Sequence, residues 1–182
     1  MTVAERYENL KLKVVNRREE FLKFMKFVET ETEYLTAPAS TKFHLCKEGG
    51  LLEHSVNVAE TLLKIKNTLA PEILDESCVI VGLLHDLGKV GMPNSPQYIK
   101  NLQKNYPPYK FNNDLVYLSV PVRSLYLIGD KIPLTEEEVQ AIIYHDGQYV
   151  DDNKSVAGHE EKLTLLLQYA DSWSGFVIEK IF

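Results

Sequence analysis

The chain has 182 residues, 45% of them hydrophobic, which predicts one domain with a sizeable core. Its formal net charge is -6 and its pI is about 5.4, and because no basic stretch with interleaved aromatic residues occurs, long nucleic acid is excluded as a partner. No stretch is long and apolar enough to cross a bilayer, and the N-terminus lacks an apolar signal region, so we expect a cytoplasmic protein with no membrane partner. Cys46 and Cys78 lack Cys-x-x-Cys spacing and are interpreted as reduced packing thiols.

The N-terminal segment from Val3 to Tyr34 favours one long helix, because apolar residues recur among charged ones and neither Pro nor Gly intervenes. A loop begins around Pro38. His44 lies in this loop, before Gly49-Gly50. A lone loop histidine is more often a surface or capping residue than a ligand, so His44 is assigned no role from the sequence.

Two further helices are predicted, from Leu51 to Asn67 and from Asp75 to Leu87. Asp75 is the expected N-cap of the second and Gly88 its expected stop. On that helix Gly82 lies one turn before His85, and a glycine there lets another helix backbone approach closely. In the first helix His54 lies on a stripe beside the core stripe formed by Leu52, Val56, Ala59 and Leu63.

The segment from Val90 to Asn113 contains four prolines and aromatic residues without helical periodicity, which predicts an irregular excursion. We expect substrate contacts between Tyr98 and Phe111, since aromatic side chains on loops can stack on a base. A surface loop packed on itself is an equally good interpretation.

Helix is predicted again from Asp114 to Ile128, with Arg123 and Ser124 in it. Thr135-Glu136-Glu137-Glu138 is a capping box that opens a short helix ending at Tyr144-His145-Asp146-Gly147. After an acidic loop, a last helix is expected from Gly158 to Ile181. No strand pattern or internal repeat is found, so the predicted fold class is all-α.

Four polar residues lie within or at the end of helices whose other residues indicate a core: His54, His85, Asp86 and Asp171. Buried carboxylates are costly unless paired, so these residues either satisfy polar partners in the core or hold a cation together. Two imidazoles and two carboxylates leave coordination positions for water. This donor set suits one divalent ion of Mn, Fe, Co, Ni, Zn or Mg better than a closed structural zinc site.

The stretches Gly-Gly-Leu-Leu-Glu-His54-Ser and Leu-Leu-His85-Asp86-Leu-Gly-Lys89, with a late Tyr-Ala-Asp171, resemble the HD superfamily of metal-dependent phosphohydrolases. The resemblance covers Phe43 to Gly175 and is closest to small stand-alone HD proteins. It implies a single-domain helical bundle of the HD type over residues 1–182, with an N-terminal helical extension over 1–40, a core over 41–182 and an aromatic loop near 90–113. It also implies that the metal ligands are His54, His85, Asp86 and Asp171.

The chain departs from relatives that assemble two metals. Where those relatives have a further histidine, this chain has Val120, and Asp146 stands where some have a second histidine beside His145. We therefore expect one tightly bound ion and leave a second, weaker one open. His159 lies twelve residues before Asp171, ~18 Å along one helix, and cannot share its ion.

The resemblance implies hydrolysis of a phosphoester of a small, nucleotide-type substrate by a metal-activated water. Asp86 would hold the metal and orient the water. Lys89 and Arg123 are candidates for contacting the phosphate; the alternatives are a surface lysine that compensates the helix dipole and a structural ion pair of the arginine with a carboxylate. His145 would protonate the leaving group or bind a second metal, and a structural helix-end histidine is the alternative. A catalytically silent metal-binding and nucleotide-binding module and a plain helical domain remain as alternatives to the enzyme. Oligomeric state is not predicted.

Overall fold

The computed structural model describes residues 1–179, and the predicted all-α class is confirmed. The α-helices are α1 Val3–Lys11, α2 Arg18–Glu31, α3 Gly50–Leu69, α4 Asp75–Leu84, α5 Val120–Ile128, α6 Glu136–Tyr144 and α7 Lys162–Trp173. Short 3₁₀ turns lie at Leu87–Val90, Gly147–Tyr149 and Asp151–Val156, and a π turn lies at Ser174–Ile178. Within residues 1–179 no helix combines the length and the apolar character needed to span a membrane.

Helix α3 lies at the centre of the fold and packs against α1, α4 and α7. The predicted close approach at Gly82 is confirmed, because a Cβ at this position of α4 would lie 2.6 Å from the Cα of Ala59 on α3. Only glycine permits so short a distance between α3 and α4, and this close packing brings together the helices that carry His54 and His85.

The prediction of a single helix from Val3 to Tyr34 is wrong, since α1 ends at Lys11 and α2 begins at Arg18. The buried carboxylate of Glu76, at the start of α4, accepts hydrogen bonds from the backbone amides of Val15, Asn16 and Arg17. A distant side chain therefore holds the turn that precedes α2, and this tertiary contact overrides the local helical preference.

Arg17 stands at the same corner and ties three helices together. Its guanidinium donates to Glu76 on α4, to both oxygens of Glu138 on α6 and to the carbonyl of Pro133. Glu138 is also the last residue of the predicted capping box, whose reciprocal hydrogen bonds with Thr135 are present.

Helix α4 ends three residues earlier than expected, and its N-cap is Leu74 rather than Asp75. Gly88 is not the helix stop. A Cβ on Gly88 would lie 2.2 Å from the carbonyl oxygen of Val120, so this glycine is needed for α5 to pack against the turn after α4. The left-handed residue that ends this region is Gly91, with φ of 81°.

Helix α5 begins at Val120 rather than at Asp114. The side chain of Asn112 accepts the amide of Asp114 in an Asx turn, and Pro121 occupies the first helical turn, where its missing N–H costs nothing.

The irregular excursion contains a short hairpin that the sequence did not predict. Strand β1 is Tyr98–Lys100 and strand β2 is Tyr109–Phe111, and they are antiparallel with Ile99 opposite Lys110. Each strand has three residues, which is too short for an alternating pattern to be recognised.

The last helix is shorter than the prediction from Gly158 to Ile181. Helix α7 begins at Lys162 and continues through the π turn to Ile178, while Ile181 lies outside the described residues.

Candidate metal centre

Side chains from four helices meet between α3, α4, α6 and α7. His54 comes from α3, His85 and Asp86 from the end of α4, His145 from the end of α6 and Asp171 from α7. The Nε2 atom of His54 lies 3.1 Å from Asp171 and 3.5 Å from Asp86. The structure thus brings together the four residues that the sequence singled out, and His145 joins them.

Asp86 lies between the imidazoles. One carboxylate oxygen is 3.5 Å from Nε2 of His85, and the other is 3.6 Å from Nε2 of His145. All three histidines of the cluster are almost fully buried, as is Asp86, whereas Asp171 is partly exposed and marks the open side.

Each histidine ring is held by its Nδ1 atom. Nδ1 of His85 lies 2.9 Å from the carbonyl of Gly82, and Nδ1 of His145 lies 2.9 Å from the carbonyl of Ile142. A carbonyl can only accept, so these Nδ1 atoms carry protons, and both Nε2 atoms face Asp86. In the neutral form of each ring the Nε2 lone pair is then left for a cation. This is the tautomer that metal-binding histidines with a tethered ring adopt.

The protonation states follow from the surroundings. Burial lowers the pKa of His85 to about 4, helped by His145 and His54, so its ring is neutral at pH 7. Burial also opposes charge on His145, but its contact with Asp86 prevails and raises its pKa to about 9. Burial acts against ionisation of Asp86, yet the charges on Lys89 and the histidines hold the pKa of this carboxyl well below its usual range.

His54 has carboxylates at both ring nitrogens. Burial acts to lower the pKa of His54, but hydrogen bonds with Asp171 and Glu179 outweigh it and raise this pKa to about 9. A cation at Nε2 would displace that proton, because imidazole binds metals in its neutral form.

The residues fit a divalent metal ion. Nε2 of His85 is buried and has no hydrogen-bond partner within the described part of the chain, which is costly for a nitrogen in a polar cluster. The potential ligand atoms of His54, His85 and Asp86 lie within 4.8 Å of one another, as do those of His85, His145 and Asp171. Nitrogen and carboxylate donors in this number suit Mn, Fe, Co, Ni, Zn or Mg.

The residues predicted to contact phosphate lie in different surroundings. Nζ of Lys89 is 2.5 Å from Asp86, at the edge of the cluster. Arg123 is buried away from the cluster, where Nη1 donates to Gln97 and Nη2 donates to the carbonyl of Val116. These hydrogen bonds indicate that Arg123 holds neighbouring loop segments in place. A contact between Arg123 and phosphate stays a prediction.

Ser124 supports the turn that presents His85 and Asp86. Its hydroxyl accepts the amide of Gly88 and donates to the carbonyl of His85. The Arg123-Ser124 pair therefore anchors two segments beside the cluster.

Sequence reasoning missed Glu179 and gave no role to His44. Glu179 is buried and receives Nδ1 of His54 at 2.9 Å, and the ring centroids of His44 and His54 are 5.0 Å apart. No recognisable motif surrounds Glu179, so its role could not be predicted from the sequence. His159 is exposed ahead of α7 and lies outside the cluster, in agreement with the prediction.

Two cavities flank the cluster. One of about 440 Å³ includes Lys89, Tyr98 and Tyr109 in its wall. The other, of about 800 Å³, is mostly apolar and includes Val120 and Asp146, and Asp146 lies 3.7 Å from Nε2 of His145.

The chain is similar to a known protein family and to a curated relative. The family model of the HD domain matches residues 51–172, which is more than half of the chain. The chain is 29% identical over 170 residues to dihydroneopterin 2',3'-cyclic phosphate phosphodiesterase of Methanocaldococcus jannaschii, in an alignment that covers 81% of this chain and 64% of the relative. It thus spans less than two thirds of that relative's length. No solved structure matches the chain.

Proposed function

The chain belongs to the HD domain family, and from this we propose that it is a metal-dependent phosphohydrolase that acts on a small phosphoester. The observation that carries the proposal is the buried Nε2 of His85, which has no hydrogen-bond partner among residues 1–179 and lies within a cluster of imidazoles and carboxylates. A buried nitrogen of this kind needs a partner, and a cation held by the surrounding imidazoles and carboxylates would supply one.

We assign the ion to His54, His85, Asp86 and Asp171, with His145 as a fifth donor. When bound, the ion supplies a Lewis acid for a phosphoryl oxygen and a means of lowering the pKa of water. Asp86 also contacts Lys89, so one carboxylate links the cluster to an ammonium group. Lys89 is placed to neutralise negative charge on a phosphate at the edge of the cluster. Asp146 lies 3.7 Å from Nε2 of His145, so a further carboxylate stands beside the proposed donors.

The proposed substrate has a ring next to its phosphoester. The cavity beside Lys89 has the half-buried rings of Tyr98 and Tyr109 in its wall, and aromatic faces and an ammonium group together suit a base or a similar heterocycle with a phosphate. The relative's name supports a cyclic phosphate diester as the first substrate to test. A nucleotide-type 2',3'-cyclic phosphate combines both features.

Metal content tests the first step. We expect about one equivalent of a divalent metal in protein purified without chelator or metal-affinity resin, measured by elemental mass spectrometry. Asp86→Ala should lose it. Asp151→Ala is the matched control, because Asp151 is exposed and pairs with Lys154 rather than with a residue of the cluster, and it should keep the metal. Protein that takes up no Mn, Zn or Mg, even on dialysis against them, would refute the proposal.

Turnover tests the second step. The loaded protein should release product from a nucleoside 2',3'-cyclic phosphate, and Tyr98→Ala should raise KM more than it lowers kcat. Metal binding without turnover of cyclic phosphates, monophosphates or triphosphates would favour the alternative, a silent binding module. The valine at position 120, where two-metal relatives have a histidine, is the observation that favours this alternative.

A further inference from the structure

Both ring nitrogens of His54 face carboxylates, and only one of the two carboxylates belongs to the proposed donor set. Nε2 lies 3.1 Å from Asp171, while Nδ1 lies 2.9 and 3.1 Å from the two oxygens of Glu179. We propose that Glu179 is a positioning residue, which accepts the Nδ1–H of His54 and so directs the Nε2 lone pair at the metal. This inference rests on the proposed metal site.

His54 needs such a partner because of its place in α3. His85 and His145 follow the last residues of α4 and α6, where the final carbonyls of a helix have no partner within it. Their Nδ1 atoms use two of those carbonyls, on Gly82 and Ile142. His54 lies inside a helix of 20 residues, where the carbonyl three residues back already accepts a helical hydrogen bond. An acceptor for its Nδ1–H must therefore come from another segment.

The π turn after α7 brings this acceptor to His54. Glu179 follows Asp171 by eight residues, ~12 Å along a straight α-helix, which is too far for short hydrogen bonds to one imidazole without a change of direction. The turn Ser174–Ile178 supplies the change, and the amide of Glu179 donates to the carbonyl of Ser174 five residues back at 2.9 Å. Wide turns of this kind are frequent at functional sites.

Glu179 is itself held in a closed environment. It is only 6% exposed, and Asn57, one turn after His54 on α3, donates to its Oε1 atom at 2.9 Å. His44 covers the other side, with Nε2 3.8 Å from Oε2 of Glu179. The carboxylate thus has a fixed position, and its charge strengthens the hydrogen bond from the imidazole.

The proposed role predicts a graded loss of metal affinity. Loss of the hydrogen-bond partner of a metal-binding histidine typically lowers the affinity for the metal ~10- to 100-fold. We expect this loss for Glu179→Ala and a smaller one for Glu179→Gln, whose amide oxygen can still accept the Nδ1–H but carries no charge. Glu72→Gln is the matched control, because Glu72 is exposed and pairs with Lys162.

The experiment measures the dissociation constants of Mn²⁺ and Zn²⁺ by competition with a chelator, together with the melting temperature of each metal-free protein. A second readout is the ¹H NMR signal of the Nδ1–H of His54, which should move upfield in Glu179→Gln because its acceptor loses charge. Unchanged metal affinity in both Glu179 variants would overturn the inference while leaving the metal site intact. If the parent binds neither ion, the proposed function itself fails. If Glu179→Ala does not fold, Glu179→Gln decides by the same two readouts.

Discussion

Replacing Gly82 with alanine is the most direct test of how the fold positions the candidate metal centre. The new Cβ would lie 2.6 Å from the Cα of Ala59 and 2.8 Å from its Cβ. Carbon atoms in good contact are about 3.5–4.0 Å apart, so α3 and α4 would have to separate by about 1 Å.

The expected cost can be worked out from this contact. Overpacking of this kind costs about 1–3 kcal/mol, and alanine regains about 1 kcal/mol over glycine within a helix. The net destabilisation is therefore about 1 kcal/mol, or about 2–4 °C in melting temperature for a protein of this size. Metal affinity should fall more, at least ~10-fold, because the two helices carry His54 and His85 and donor positions tolerate little displacement.

The assay compares urea denaturation of metal-free protein with chelator competition for Mn²⁺. Thr68→Ala is the control, because Thr68 is an exposed residue of α3 and the change adds no atom between α3 and α4. A Gly82→Ala protein that is more stable than the parent and binds Mn²⁺ equally well would refute the link between helix spacing and the metal centre.

Three further predictions concern single charged groups. Lys89→Ala should keep its metal but lose about 10²- to 10³-fold in kcat with a cyclic phosphate substrate, and full activity would contradict the role of Lys89. Arg17→Met should destabilise the protein by about 3–5 kcal/mol in urea denaturation because it leaves two buried carboxylates without their partner, and a loss below about 1 kcal/mol would contradict this. Burial acts to raise the pKa of Glu76, but Arg17 and three backbone amides prevail and lower it. The stability from Glu76 is therefore complete above its unfolded pKa of about 4.3 and is lost as the pH falls through the lower folded value, so Glu76→Gln should flatten acid denaturation measured by circular dichroism.

The sequence predicted features that depend on local chemistry. The capping box at Thr135 acts within four residues, and α3 and α6 follow from periodicity and local caps. The cluster of His54, His85 and Asp86 could be predicted because buried polar residues are rare in apolar helices. Gly82 was predictable for a similar reason, as a glycine in a helix interior needs a packing explanation.

Features that depend on distant contacts were not predictable. The break before α2 requires Glu76, and the need for glycine at position 88 arises from a carbonyl of α5. The partnership of Glu179 with His54 spans 125 residues and depends on a π turn that leaves no recognisable pattern. The hairpin and the late start of α5 depend on turns formed by Asn, Asp and Pro residues. Such residues indicate that the chain turns, but not whether a strand or a helix follows.

The bend between α1 and α2 forms late in the folding of the newly made chain. Glu76 follows Arg17 by 59 residues, so at a synthesis rate of about 5–20 residues per second it leaves the ribosome about 3–12 s later. During that interval nothing else in the growing chain caps the amides of Val15 and Asn16, and the local preference for one straight helix is unopposed. The bend is therefore acquired when α4 docks, and a nascent fragment that ends before residue 75 should be straighter and more helical than the same residues in the finished protein.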